Sequence, residues 1–155
     1  MEINSKQLWT ILIAFIFIGS TVGFAMNYKA PMEKTSNLPK NIFDRPLSDS
    51  ERSYFINSDS TVLTLFFLPQ DNESMALKKD IEDMSKSFGE KLIIEEVNVN
   101  TFQSFTSEYH VMFTPTIIIR GKANENKPIR IEGETDLNVI KEDICSTYES
   151  SPSAC

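Results

Sequence analysis

Thr61 to Leu68 reads Thr-Val-Leu-Thr-Leu-Phe-Phe-Leu, a β-branched and aromatic run long enough for a buried strand. Pro69 ends it. The apolar period then changes. Leu77, Ile81, Met84 and Phe88 recur at spacings of four, three and four, one face of a helix over about 72–88. Gly89 is its natural C-terminal stop. Leu92 to Val99 is a second strand. Strand, helix and strand in this order imply a right-handed parallel crossover, and that unit limits what the rest of the chain can build.

The flanking segments fit around it. Ser48 with Glu51 three residues later matches a capping box and predicts a short helix over Asp49 to Ile56. Thr101 to Tyr109 reads as a short helix with Phe102 and Phe105 inward. Thr116 to Arg120 and Pro128 to Glu132 read as two more strands, joined through a polar turn over 121–127. Asp136 to Thr147 is a last helix, with Leu137, Ile140 and Ile144 on one side. The expected class is α/β: a small mixed sheet with helices on both faces. Glu95-Glu96 and Glu132 with Glu134 read as solvated charges, and His110 as a surface or capping residue.

Leu8 to Met26 is an almost unbroken apolar run without a charge. A helix needs roughly 20 apolar residues to cross a bilayer core, so 1–26 is expected to be one N-terminal transmembrane anchor. Trp9 and Tyr28 lie near the two ends, at headgroup level. Gly23-Phe24-Ala25 leaves a cleaved signal peptide as the competing reading. Residues 27–47, with Pro31, Pro39 and Pro46 among polar residues, read as a linker. The folded domain is expected over 48–147, followed by a tail over 148–155. Lys29, Lys34, Lys40 and Arg45 after the span argue for a cytoplasmic domain. The cysteines argue for an extracytoplasmic one, the reading preferred here, because disulfides persist in oxidising compartments. The formal net charge of -7 argues against nucleic-acid binding, which needs clustered Lys and Arg. One His and two Cys leave little for a transition-metal site, and nothing calls for a cofactor.

The element order and several residues resemble the thioredoxin family. Val62-Leu63-Thr64-Leu65-Phe66-Phe67 looks like its central strand. Tyr109-His110-Val111, Phe113-Thr114-Pro115-Thr116 and Ile117-Ile118-Ile119 are similar to the stretch around its cis-proline. Arg130-Ile131-Glu132-Gly133 looks like its last strand with a bulge glycine. The resemblance covers roughly Ser48 to Thr147. It implies a cis bond before Pro115 and an extended peptide paired along the backbone of Thr114.

The resemblance also shows what is missing. Family chemistry needs a thiolate at a helix N-terminus, where the dipole and free N–H groups lower the thiol pKa. Asp71 and Ser74 occupy the two thiol places, and no Cys precedes Cys145. Leu65 stands where the family often buries a proton-shuttling carboxylate. Asp71 or Asn72 serves as a helix N-cap. Asn72-Glu73-Ser74 also satisfies the N-glycosylation pattern, relevant only to an outward-facing domain.

Cys145 and Cys155, ten positions apart, are expected to close the tail as a structural disulfide. A redox-active pair and two free thiols are the alternatives. The functional expectation is a membrane-anchored, redox-silent binding domain. Thr114, Pro115 and Asp71 would meet a protein or peptide partner, with no catalytic residue. A thiol–disulfide oxidoreductase using Cys145 and Cys155, or a structural subunit of a membrane complex, are the alternatives.

Overall fold

The structure is a computed structural model that describes residues 41–155. The expected anchor, and the linker as far as residue 40, lie outside the described residues. Among the described residues no helix is long and apolar enough to cross a membrane.

Five strands form one mixed sheet. In chain order the elements are β1 (Ile42–Phe43), α1 (Asp49–Asn57), β2 (Thr61–Phe67), α2 (Asn72–Phe88), β3 (Leu92–Asn98), α3 (Gln103–Glu108), β4 (Thr116–Arg120), β5 (Ile129–Glu132) and α4 (Leu137–Ser146). The strand order is β1-β3-β2-β4-β5. β1 and β2 both run parallel to β3, while β4 is antiparallel to β2 and β5. The crossover predicted from the sequence is therefore β2–α2–β3. The hairpin predicted after it is β4–β5, and its connection contains a single 3-10 turn at Lys122–Asn124.

Strand pleating divides the core in two. Leu63 and Leu65 of β2 join Ile94, Ile117 and Ile119 against Ile81 and Phe88 of α2 and Ile140 and Ile144 of α4. On the other face Val62 and Ile93 pack with Ile56 of α1. Beside them Phe66, Val97 and Ile118 pack with Phe102, Phe105 and Tyr109 around α3. β2, central and covered on both sides, is buried from Thr61 to Phe66. This explains its continuous apolar run without polar alternation.

The structure corrects three sequence expectations. The folded part already includes Asn41 and Ile42, ahead of the expected Ser48. Asn41 Nδ2 donates to Gly89 O at 3.0 Å and Leu92 O at 2.9 Å, Ile42 is 6% exposed, and β1 pairs with β3. Two strand residues beside Pro46 carry no period, so the sequence reads them as linker. The disulfide-closed tail, expected to follow the domain over 148–155, is part of it. Tyr148 belongs to the core, donating its hydroxyl to Lys91 O at 2.7 Å, and Ala154 packs on the same cluster. Finally, Glu95 and Glu96 are not solvated: they are 0% and 3% exposed. β3 lies between β1 and β2 with helices over both faces, so neither side of its pleat reaches water.

Candidate functional site

At the C-terminal end of β2 the chain turns through Pro69 into α2. Asp71 caps that helix. Its Oδ1 accepts from the Glu73 N–H at 3.2 Å, and its Oδ2 from the Ser74 N–H at 3.2 Å and the Ser74 hydroxyl at 2.5 Å. The Ser74 hydroxyl in particular holds the Asp71 carboxyl below its usual range, helped by the two N–H donors. Ser74 is fully buried. The first turn is thus closed on itself: the groups that would activate a thiolate are spent on capping. Asn72 is exposed at the helix start.

Opposite this turn, the Thr114–Pro115 peptide bond is cis. Four hydrogen bonds hold the segment. Arg130 donates to Tyr109 O at 2.9 Å and His110 O at 3.0 Å, fixing the chain where His110 turns at φ 49. The Thr116 hydroxyl donates to Phe113 O at 2.7 Å. Gly133, at φ 80, donates its N–H to Pro115 O at 2.8 Å. Among the described residues neither the N–H nor the C=O of Thr114 has a hydrogen-bond partner. Met112 and Phe113, just before it, are 79% and 65% exposed. Met75, one residue past Ser74, is 40% exposed. A cavity of about 180 Å³ runs between α2 and the cis bond, lined by Leu77, Pro115 and Thr135 with the carboxylates of Glu73, Asp80 and Glu134.

Of the sequence-predicted residues, Asp71, Thr114 and Pro115 fall at this one end of the sheet. Met112, Phe113 and the carboxylate lining were not anticipated. Their signal was present in the sequence: two large apolar residues beside an X-Pro turn, outside any periodic segment. A roomier cavity of about 450 Å³, lined by Asn41, Tyr54, Phe55, Glu90 and Lys91 among others, lies between α1 and the start of β3, apart from the site. Among the described residues no three His, Cys, Asp or Glu side chains converge to hold a metal.

Cys145 and Cys155 form a disulfide with an S–S distance of 2.03 Å and Cα atoms 5.7 Å apart. It sits at the far end of the central strand from the cis bond. Thr147, two residues after Cys145, meets the Thr61 hydroxyl at 2.6 Å at the start of β2, whereas Asp71 follows its end. Seven strand residues at ~3.3 Å each put about 20 Å between the two places. The tail is tightly seated there. A Cβ on Gly121 would lie 2.6 Å from Thr147 O, so only glycine allows the hairpin to approach it.

No family model matches the chain, and no curated protein matches it in sequence. Solved structures match it in fold. A chloroplastic thioredoxin z superposes with a TM-score of 0.54 at 20% identity, covering 64% of this chain and 89% of that one. A mutant thioredoxin from Halobacterium salinarum gives 0.54 at 19% identity, covering 76% and 99%. Fasciola hepatica thioredoxin gives 0.54 at 16% identity, covering 69% and 98%. The chain therefore has the thioredoxin fold.

Proposed function

We propose that this chain is a membrane-anchored binding module. An extended segment of a partner protein pairs along Thr114 and packs on Phe113 and Met112, without thiol chemistry. The observation that carries the reading is the backbone of Thr114. Among the described residues its N–H and C=O lack partners, beside two exposed apolar side chains, which suits strand-like pairing with side-chain anchoring. Redox silence rests on the capped, thiol-free α2 N-terminus and on the distance of the Cys145–Cys155 disulfide from it. The anchor reading rests on the apolar run from Leu8 to Met26, and the extracytoplasmic placement on the disulfide.

Photo-crosslinking tests this. A photoreactive residue placed at Met112 of the full chain, in its native membrane, is expected to capture a discrete partner. Phe113→Asp should reduce capture at least tenfold, and Cys145→Ser with Cys155→Ser should leave it unchanged. Capture indifferent to Phe113→Asp would overturn the proposal, as would capture that depends on the cysteines.

A further inference from the structure

The surface around Thr114 is not uniformly apolar. Beside the cis bond lies the cavity of about 180 Å³, and three carboxylates stand on it: Glu73 and Asp80 from α2, and Glu134 from the turn after β5. Glu73, Leu77 and Asp80 follow one another at spacings of four and three, so they share one face of the helix. Glu134 is placed by its neighbour, because Gly133 at φ 80 donates its N–H to Pro115 O at 2.8 Å.

These carboxylates have no cation. None makes an ion pair or a side-chain hydrogen bond among the described residues, and no Lys, Arg or His of these lines the cavity. Nor do they converge tightly enough to hold a metal ion. Ala76, Leu77 and Pro115 supply the apolar part of the lining. At about 180 Å³ the space falls below the roughly 300 Å³ at which small-molecule pockets begin, and it suits a single side chain.

We propose that the partner segment paired along Thr114 carries a lysine or arginine whose side chain enters this cavity. The inference rests on the pairing reading given above. Pro115 lines the cavity and is the next residue after Thr114, so a strand lying along Thr114 passes the opening. Strand addition takes affinity from the main chain and specificity from pockets for alternate side chains. A long basic side chain matches this pocket: its methylenes lie on Leu77 and Pro115 while its charge reaches the carboxylates. Complementary charge of this kind selects partners and speeds encounter more than it adds affinity.

Four labelled peptides test this: Ser-Val-Thr-Xaa-Thr-Val-Ser, with arginine, lysine, norleucine or glutamate as Xaa. Each is titrated against the full chain in neutral detergent and followed by fluorescence anisotropy. The arginine and lysine peptides are expected to bind roughly fivefold tighter than the norleucine peptide at low salt, with the glutamate peptide weakest. That preference should shrink at high salt and vanish in a Glu73→Gln, Asp80→Asn, Glu134→Gln variant. The three substitutions remove no ion pair, and an unaltered thermal midpoint checks the fold. Phe113→Ala should weaken all four peptides, since it strikes the pairing surface and not the cavity. Equal binding of the four peptides, still sensitive to Phe113→Ala, would overturn the basic-residue inference and leave the pairing surface standing. A preference that survives in the triple variant would overturn it too. Binding by none of the four, or binding indifferent to Phe113→Ala, would remove the pairing reading and this inference with it.

Discussion

Glu95 and Glu96 stand side by side on β3, and the pleat sends them to opposite faces of the sheet. On the α1–α3 face, both carboxylate oxygens of Glu95 are matched. Oε1 accepts from the Leu47 N–H at 2.6 Å and Arg52 Nη2 at 2.9 Å, and Oε2 from the Thr64 hydroxyl at 2.6 Å. On the α2–α4 face, Glu96 Oε2 meets Lys78 Nζ at 2.9 Å, but its Oε1 is buried without a partner among the described residues. Lys78 is shared with Glu82, one turn along α2. Burial pushes the Glu96 carboxyl up to about 7; the Lys78 ammonium opposes this and the nearby Glu82 adds to it. A charge in a protein interior persists when donors surround it; otherwise a proton takes over the task. At these adjacent positions Glu95 has donors on both oxygens, whereas Glu96 has one on Oε2 alone and a raised carboxyl pKa.

Removing Glu95 should have the largest effect. Glu95→Ala removes the buried carboxylate that faces Arg52 Nη2, leaving Arg52 only Leu47 O and the exposed Asp49, and orphans the Leu47 N–H and Thr64 hydroxyl. The expected loss is ~3–5 kcal/mol by denaturant unfolding. A loss under about 1 kcal/mol would show that the network is not structural.

Glu96 should instead reveal itself through pH. Its carboxyl sits at about 7 in the folded chain against an ordinary value of 4.5. Between these values the native state holds more protons than the unfolded one. Its contribution to stability is therefore full below about 4.5 and is lost as pH rises through about 7. The size is on the order of 3 kcal/mol. Unfolding measured across that window should lose this slope in Glu96→Gln, and an unchanged slope would erase the contrast with Glu95. Smaller still, Thr64→Val removes a single donor from Glu95 Oε2 and should cost about 1.5 kcal/mol. The same substitution should leave the pH slope unaltered, because Thr64 faces the opposite side of the sheet.

This contrast was the part of the molecule least visible in the sequence. Helices and strands were legible because period and capping are local: Ser48 with Glu51 marks α1, and Leu77, Ile81, Met84 and Phe88 mark α2. The disulfide was legible from two cysteines close in sequence. The cis bond and the α2 start were legible as one site only through resemblance. Glu95-Glu96 was misread because charge normally means solvent, and only the placement of β3 between β1 and β2 denies it water. Arg52 was missed for the same reason: its partner stands 43 residues away. β1 was missed because two residues cannot show a period.

The most direct test of a site that binds without exchanging disulfides is turnover in insulin reduction, with dithiothreitol as electron donor. The wild-type chain and a Cys145→Ser, Cys155→Ser double variant should both match the rate without protein. Turnover by the wild-type chain that disappears in the double variant would contradict it.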